Sequence, residues 1–556
     1  MATHRRHERD RMNGAGPDVM VVGAGPTGLT TALAAHDHGA RVRIIDRRHD
    51  TVRPSRALIV HPRTLEVLRP YGVTDALLDR ADVAPTGRLH VGGREIEAVL
   101  GPFALDDTAF PYLTFVGQVG VEAVLAAALA ERDVAIEWGT ELVDVSAGPD
   151  GVDVVVRTDG GLDRFTAGHV VGCDGSSSTV RELAGAGWHS LSYPVEAVLA
   201  DVELDGALEE GVAHVAPGRD GLVFVFALGE RATWRILATR AATPTADGRG
   251  RDPATAGEVR PAELQALLDR AGLGARVVSV AWSERVRLRR GIARRYRAGP
   301  LFLAGDAAHV HSPAGGLGMN TGIGDAANLG WKVALSARHP AATGADDALL
   351  GSYERERRPA AQQVLALTHT LFWGEASTDP FARALRTDLV PLVAPLVPHL
   401  LARRRLTAAG IRHLSRLRVH HRQSPLSVDH GPRCGRLRAG DRLGDAPVVV
   451  DGRPRRLHEL CATPGFHVLL DRDAPPIDPG PDPLVQVHRR QESAGSGCLV
   501  VRPDGHVGLR SGDVDPVAIA GWFHLVGIER PPGDRAALSR SPSPARTGGP
   551  GSAPAT

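Results

Sequence analysis

The chain has 556 residues, 43% of them hydrophobic, and a formal net charge of +1 at pH 7. This length is too great for one core and predicts about two to four domains. The balanced charge excludes a global field that would recruit nucleic acid or an anionic membrane. Because no run of about 18 apolar residues occurs, no membrane-spanning helix is expected, and a cytoplasmic protein is favoured.

The first predicted elements form a strand–helix–strand unit. A basic leader, residues 1–18, has no apolar stretch, so we expect a disordered segment and no signal peptide. A buried strand over Val19–Gly23, a helix over Thr27–His38 and a second strand over Val42–Asp46 follow. This order is the context in which a glycine-rich βα turn binds a dinucleotide.

The glycines of this unit each have a physical reason. Gly23 allows a tight turn, Gly25 allows a pyrophosphate to approach the backbone, and Gly28 allows the helix to pack on the strand. The free N–H groups at the helix N-terminus attract phosphate. Asp46, which ends the second strand, is placed to accept hydrogen bonds from an adenosine ribose. We therefore predict a dinucleotide site, with nicotinamide and flavin both open at this point.

A second cluster, GHVVGCDGSSSTVR, follows several shorter elements. The patterns predict helices and strands at these positions: Arg63–Leu68, Val121–Ala130, Val152–Arg157 and His169–Cys173. The last of these strands delivers Asp174 and Gly175 into a turn, and Ser177–Thr179 can cap the next helix. Taken alone, this cluster is read most simply as a strand-to-helix turn with Asp174 as a cap.

The pattern then changes to short β-rich runs. Between Ala197 and Ala238 these runs predict a mainly antiparallel sheet, and a helix is predicted over Pro261–Ala271. Several large apolar residues in the runs could contact a substrate, but core packing is the favoured interpretation for each of them: Val223, Phe224, Phe226 and Trp234.

A third cluster begins with a buried strand over Pro300–Ala304 and ends in a glycine-dense loop, Ala314–Gly318. A helix is predicted over Met319–Ala337. Asp306, at the strand end, can bind a polyol hydroxyl, and the helix N-terminus can face a developing anion. His309 and His311 are expected to stabilise the turn. No third ligand is in sight, so no metal site is predicted.

The C-terminal third has three parts. Residues 376–431 predict a helical linker, and residues 432–528 predict a compact α/β domain from strand-like runs. The tail, residues 529–556, cannot bury enough apolar surface to fold and is expected to be disordered. Four cysteines are present without a CxxC pair, which indicates free thiols.

The three clusters, in this order and at these separations, resemble the group A flavoprotein aromatic hydroxylases of the p-hydroxybenzoate hydroxylase fold. GCDG at 172–175 resembles the DG motif of that family, GDAAH at 305–309 resembles its GD motif, and GMNTGIGDAANLGWK resembles the continuation. The C-terminal PDGHVGLR segment resembles the thioredoxin-like domain of larger members, which include polyketide-tailoring and phenol hydroxylases. The redox CxxC of that domain is absent.

The resemblance implies an α/β fold in several parts. A Rossmann-type FAD-binding domain (19–190 and 284–375) would carry an inserted, mainly antiparallel β-sheet substrate domain (191–283). The linker would lead to a thioredoxin-like domain at 432–528.

The resemblance also implies one bound FAD and a set of ligands. The pyrophosphate and the adenosine ribose would contact Gly23, Gly25, Pro26, Thr27, Gly28, Asp46, Arg47 and Arg56. Gln118 would reach the adenosine or ribityl region, Asp174 would lie near the pyrophosphate and the site where the nicotinamide approaches, and Asp306 would bind the ribityl chain. Gly318, Met319 and Asn320 would place their backbone N–H groups near the N1–C2=O edge of the flavin, which Pro313 would flank. No catalytic residue is assigned, although Pro313, beside the oxygen-reacting face of the flavin, is a candidate. The pattern departs from many relatives at Leu317 and Gly324, where those relatives have Gln.

The implied function is monooxygenation. NAD(P)H, a transient co-substrate without a fingerprint of its own, would reduce the flavin. O2 would then give a C4a-hydroperoxide that hydroxylates an aromatic or polyketide substrate. The expected protein is a monomer or homodimer. Baeyer–Villiger or epoxidising chemistry and a non-catalytic flavin-binding partner protein remain alternatives, whereas halogenation is disfavoured because Lys332 is the only lysine and WxWxIP is absent.

Overall fold

The computed structural model describes residues 16–50, 58–148, 151–218, 221–227, 234–242, 258–338, 345–401, 403–431, 437–450 and 453–529. Most of the predicted leader and nearly all of the predicted tail lie outside these residues. Residues 16–18, which the prediction included in the leader, are part of the fold. The carbonyl of Pro17 accepts a hydrogen bond from the amide of Gly168 at 3.0 Å.

A sheet at the centre of the first domain, the nucleotide sheet, positions the three clusters. Strand Val19–Val22 pairs in parallel with Val42–Asp46 on one side and with His169–Gly172 on the other, and the latter pairs in parallel with Leu301–Leu303. The order across the sheet is Arg297–Ala298, Leu301–Leu303, His169–Gly172, Val19–Val22, Val42–Asp46 and Ile136–Trp138. The carboxyl ends of neighbouring parallel strands therefore lie side by side, which is where open α/β sheets bind ligands.

Helices cover the nucleotide sheet. Helix Pro26–Asp37 packs against both Gln118–Glu131 and Gly318–Arg338. A Cβ atom added at Gly330 would lie 2.4 Å from the Cβ of Ala34. The close approach of helix Gly318–Arg338 to helix Pro26–Asp37 therefore requires a glycine at this position. The remaining helices are Pro62–Leu68, Thr74–Leu78, Thr179–Leu183, Pro261–Ala271, Ala345–Ala376, Pro380–Ala384, Val390–Val393, Val397–Leu401, Arg404–Leu414, Leu457–Leu460 and Pro516–Leu525.

A second, mainly antiparallel sheet, the cover sheet, is built on two long strands. Trp188–Gly206 and Ala275–Ala293 pair antiparallel along their length. Both strands run beyond the predicted limits of the substrate domain, 191–283, because their pairing resumes after an irregularity at Ser192–Glu196 and continues to Trp188 and Ala293. The order across the sheet is His309–Val310, Ala275–Ala293, Trp188–Gly206, Trp234–Ala241, Gly221–Ala227, Val212–Gly218, Thr86–Val91 and Arg94–Val99.

Two small sheets complete the first part of the chain. One consists of Glu141–Gly148, Gly151–Thr158 and Gly161–Ala167, and the other of Ile59–Val60, Asp82–Val83 and Thr114–Phe115. The helices predicted from local patterns are present. Pro261–Ala271 has the predicted bounds, and the helix predicted over 319–337 extends by one residue at each end.

The C-terminal region contains a mixed sheet and a hairpin. The sheet order is Val428–His430, Val507–Ser511, Cys498–Val501, Phe466–Leu470 and Val485–Arg489, and the hairpin is Pro447–Val450 with Arg453–Arg456. Strand Val428–His430 belongs to this sheet, although the prediction placed it in the linker, because it pairs in parallel with Val507–Ser511. A mixed sheet with a flanking helix, Pro516–Leu525, is consistent with the thioredoxin-like prediction.

Across the described residues, no single helix has both the length and the apolar character needed to cross a membrane. One bent pair, Pro380–His399 with Arg404–Leu414, meets those two criteria only when both arms are counted together.

Candidate functional site

The first cluster forms a turn that only glycine can make. Gly23 has φ +103°, and a Cβ atom there would lie 2.4 Å from the carbonyl oxygen of Cys173. A Cβ atom at Gly28 would lie 1.8 Å from the carbonyl oxygen of Gly23. Gly25 is the N-cap of helix Pro26–Asp37, and no side chain caps the helix. The bare helix N-terminus fits the pyrophosphate of a dinucleotide such as FAD.

The carboxylate of Asp46 is already hydrogen-bonded to nearby residues of the protein. It accepts hydrogen bonds from the amide of Ala24 at 2.7 Å and from the amide of Arg48 at 2.9 Å, and the Arg48 guanidinium donates to both oxygens. Burial alone would raise the pKa of Asp46, but the hydrogen bonds from Arg48 hold it below its usual value. About four acceptor positions exist on a carboxylate. A ribose hydroxyl that donates to Asp46 must therefore share the carboxylate with Arg48 or displace the Arg48 guanidinium. The predicted ligand Arg47 is exposed.

Gln118 and Glu122 continue this polar group. The Gln118 amide donates to the Glu122 carboxylate at 2.8 Å, and the Arg48 guanidinium lies 3.8 Å from the same carboxylate. Two predicted ligands, Asp46 and Gln118, are thereby joined through residues that the sequence did not single out. Arg56 lies outside the described residues.

Asp174, in the second cluster, acts as a local cap. It accepts hydrogen bonds from the Ser178 hydroxyl at 2.6 Å and from the amide of Val180 at 3.1 Å. Burial raises the pKa of Asp174 in spite of these bonds. Gly175 has φ +82° with open space where a side chain would be, so the turn stays accessible to a ligand.

Arg181 ties the second cluster to the third. Its guanidinium donates to the carbonyl of Ala307 at 3.0 Å and lies 4.2 Å from the ring centre of Trp188. Gly305, with φ +61°, approaches the first cluster so closely that a Cβ atom would lie 2.5 Å from the Thr27 hydroxyl. The three clusters therefore meet at one edge of the nucleotide sheet.

Asp325 organises the third cluster. This fully buried carboxylate lies 2.6 Å from His309 Nε2 and accepts hydrogen bonds from Arg357 Nε at 2.7 Å and from the amide of Gly305 at 3.1 Å. Burial alone would raise the pKa of Asp325, but Arg357 and His309 hold it below its usual value. His309 thus stabilises the turn, as expected. Asp306, the predicted ribityl ligand, is exposed at the same strand end.

The Asn320 side chain connects the glycine loop to residues 59–64 through four hydrogen bonds. It accepts from the amide of His61 at 2.9 Å and from the Thr64 hydroxyl, and it donates to the carbonyls of Ile59 and Gly316, each at 2.7 Å. With the side chain used in this way, only the backbone of Asn320 can face a cofactor. The contact of its backbone N–H with the flavin stays a prediction.

The residues around Asn320 leave room for a ligand. Pro313 is exposed, Gly318 and Met319 are partly buried, and the atom nearest to a Cβ added at Gly318 is 3.8 Å away. Gly315 and Gly316 both have positive φ, a backbone conformation that favours glycine.

The cover sheet separates its side chains by face. In strand Gly221–Ala227, Val223 and Val225 pack in the core beneath helix Pro261–Ala271, together with Trp234. Core packing is therefore confirmed for Val223 and Trp234. Phe224 and Phe226 point to the opposite face and pack near Leu58 and Phe115 of the first domain.

The same face continues next to the glycine loop as a second apolar group. Ala314 packs with Phe372 in a cluster that includes Tyr193 and Trp282. The Tyr193 hydroxyl lies 3.3 Å from His369 Nδ1, and the two rings stack at 5.8 Å. Burial raises the pKa of Tyr193, while burial and Arg290 lower that of His369. This pair places polar atoms in an otherwise apolar wall.

A sequence profile described as FAD binding domain matches residues 17–368. The 6-methylpretetramide 4-monooxygenase of Streptomyces rimosus is 32% identical over 554 residues, covering 93% of this chain and 95% of that protein. The solved anhydrotetracycline hydroxylase from S. rimosus has a TM-score of 0.69 at 27% identity, covering 92% of this chain and 100% of that one. Aklavinone-11 hydroxylase, solved with FAD and aklavinone, has a TM-score of 0.69 at 25% identity, covering 92% and 98%.

The fold and the site define an FAD-dependent enzyme of the aromatic-hydroxylase type. Three strand ends converge on a glycine loop, and an antiparallel sheet presents an apolar face near that loop. The chain belongs to the FAD binding domain family, whose profile covers the nucleotide sheet, the cover sheet and most of helix Ala345–Ala376.

Proposed function

We propose that this protein is a monooxygenase that uses NAD(P)H and O2 to hydroxylate an aromatic or polyketide substrate. The observation that carries the proposal is the apolar face of the cover sheet, which packs beside Ala314 next to the exposed Pro313. The substrate class is supported by the relatives described above, which are named for 6-methylpretetramide and anhydrotetracycline or were solved with aklavinone.

Two parts of the chain would hold the cofactor. The helix N-terminus at Gly25 would bind the pyrophosphate, and Asp306 would accept a hydrogen bond from a ribityl hydroxyl. The backbone amides of Gly318, Met319 and Asn320 would face the flavin pyrimidine edge, where the helix N-terminus favours negative charge. When bound and reduced, FAD supplies the activation of O2. The protein must exclude water from that reaction, and the apolar wall serves this purpose.

Tyr193 and His369 would position the substrate. A half-buried hydroxyl beside a neutral imidazole can bind a substrate hydroxyl both as donor and as acceptor. In an apolar wall, such a pair fixes the orientation of an aromatic ring through a polar contact. These residues are therefore proposed as positioning residues for a phenolic substrate.

The function is tested with purified protein and FAD. NAD(P)H oxidation is followed with anhydrotetracycline, aklavinone and 6-methylpretetramide as probes, and products formed under ¹⁸O2 are weighed by mass spectrometry. Stimulated NAD(P)H oxidation and a product that gains one labelled oxygen on a ring carbon are expected. A colourless protein that cannot be reconstituted with FAD overturns the proposal. Oxygen inserted into a carbon–carbon bond, identified by NMR, assigns ring insertion instead of hydroxylation.

The positioning role is tested with Tyr193→Phe. Loss of one hydrogen bond to substrate, worth about 1–1.5 kcal/mol, should raise KM about tenfold for the probe that turns over. FAD binding should be unchanged. Tyr112→Phe, a partly buried tyrosine next to Phe110, is the matched control. An unchanged KM and an unchanged ratio of product to NAD(P)H consumed in Tyr193→Phe would remove Tyr193 from the substrate site.

A further inference from the structure

A cavity of about 50 Å³ lies where the first domain meets the C-terminal domain. Helices Pro62–Leu68, Gly318–Arg338 and Ala345–Ala376 supply one side, and the segment around Arg416 together with Asp504 and His506 supplies the other. A volume of roughly 10–15 Å³ already holds one water molecule. The cavity is therefore large enough for a small ligand, and Asn320 and Thr321 are among the residues that line it.

Gly324 opens this cavity. It is one of the two positions at which the chain departs from the Gln of many relatives, and it lines the cavity directly. A Cβ atom at Gly324 would lie 3.0 Å from the Arg357 guanidinium, so any side chain there would take space beside that cation.

The charges around the cavity leave one positive charge without a carboxylate. Arg416 donates to two neutral acceptors, the carbonyl of Ala360 and the side chain of Gln363, and it has no acidic partner among the described residues. Its backbone has φ +60°, an uncommon conformation for a residue with a side chain. The other cations that line the cavity each have a carboxylate partner: Arg63 with Glu66 and Arg357 with Asp325.

Two imidazoles in the cavity wall have unused ring nitrogens. His421 Nε2 and His506 Nε2 are fully buried and have no hydrogen-bond partner, whereas His506 Nδ1 lies 3.4 Å from a carboxylate oxygen of Asp504. The two rings lie 4.3 Å apart. Burial lowers the pKa of both histidines. A neutral imidazole has one N–H, and in His421 that group can lie on the unpartnered Nε2. Unpaired buried donors are costly, and a bound acceptor would satisfy them.

From Arg416, which has no carboxylate partner among the described residues, the unpartnered Nε2 of His421 and the space left by Gly324, we infer a binding site for a small monovalent inorganic anion. The anion would compensate Arg416 and accept a hydrogen bond from His421. Because Arg416 and the two histidines lie in the C-terminal half of the chain and Arg357 and Asn328 in the first domain, the anion would link the two parts.

A metal ion is the competing occupant, since His421, Asp504 and His506 have potential ligand atoms within 4.8 Å of one another. The carboxylate of Asp504 is already used. It accepts two hydrogen bonds from Arg502 and one from Asn328 at 2.7 Å. A divalent cation would add positive charge near Arg416, which has no carboxylate partner among the described residues. The electrostatics therefore favour the anion.

Bromide provides the direct test. Crystals of the FAD-bound protein soaked in bromide should show an anomalous peak in the cavity, within hydrogen-bond distance of Arg416 or of an imidazole. In solution, the Tm should rise when chloride replaces gluconate at constant ionic strength. Gly324→Gln, which fills the cavity, and Arg416→Gln should lose that rise, whereas the exposed control Arg418→Gln should keep it.

Three outcomes would overturn the inference. The first is a cavity without a bromide peak in the wild-type crystals. The second is the same chloride dependence of Tm in Gly324→Gln as in wild type. The third is stoichiometric zinc that survives dialysis against EDTA and is lost in His421→Ala but not in the exposed neighbour His420→Ala. That result would assign the site to a metal.

Discussion

Replacing Asp325 by Asn tests whether this buried carboxylate holds the cofactor edge of the nucleotide sheet together. The substitution keeps the shape of the side chain and removes its charge. The amide cannot accept all three hydrogen bonds now provided by His309, Arg357 and the backbone of Gly305. Arg357 would keep its charge with no carboxylate beside it, because Asp325 is the acidic partner that the structure shows for it.

The expected loss follows from burial. Asp325 has no exposed surface, and breaking a buried pair by removing one partner costs about 3–5 kcal/mol. The loosened Gly305 turn carries Asp306, the proposed ribityl ligand. A further loss of about 1.4 kcal/mol in binding corresponds to a tenfold higher dissociation constant for FAD. We expect both effects in Asp325→Asn.

Two measurements separate the effects. Urea unfolding of the apoprotein gives the stability, and quenching of FAD fluorescence on titration gives the dissociation constant. Asp306→Asn is the matched control, since Asp306 is exposed at the same turn. It should weaken FAD binding and leave apoprotein unfolding unchanged. If Asp325→Asn unfolds at the wild-type urea midpoint, the buried network does not stabilise this edge and the reasoning is wrong.

Two further predictions concern the first turn and the domain interface. Gly28→Ala should prevent FAD retention, because the new Cβ would meet the Gly23 carbonyl at 1.8 Å; Gly410→Ala, in open helix surface, should retain FAD by absorbance. Glu356→Gln should cost about 3–5 kcal/mol at pH 7, since Arg502 and Lys332 lose their shared carboxylate. Attraction from Arg502 and Lys332 outweighs burial and holds the pKa of Glu356 well below its usual value. Its stabilisation is therefore present above the unfolded pKa of about 4.3 and is lost as pH falls below it. A difference in unfolding free energy between wild type and Glu356→Gln that stays constant from pH 7 to 3 would contradict this account.

The sequence by itself determined the elements whose causes are local. The positive φ of Gly23 and the contact of Gly28 with the Gly23 carbonyl both arise within one turn, so the βα unit could be predicted from its own residues. The helix over Pro261–Ala271 and the buried strand near Leu301 likewise follow from short-range periodicity and composition. The resemblance extended these local predictions to the domain architecture and to the cofactor.

The tertiary structure decided which side chains meet. Tyr193 and His369 are 176 positions apart, and no local pattern connects a strand residue to a helix residue at that distance. Strand alternation places Val223 and Phe224 on opposite faces of the cover sheet. Which of these faces is turned towards the first domain is seen only from the residues that pack against each face. The sequence shows that Gly324 stands where many relatives have Gln. It does not predict the cavity beside Gly324, because that cavity is lined by parts of the chain that come together only on folding. Pairing, burial and the satisfaction of hydrogen bonds are properties of the folded chain, and they set the polar network around this site.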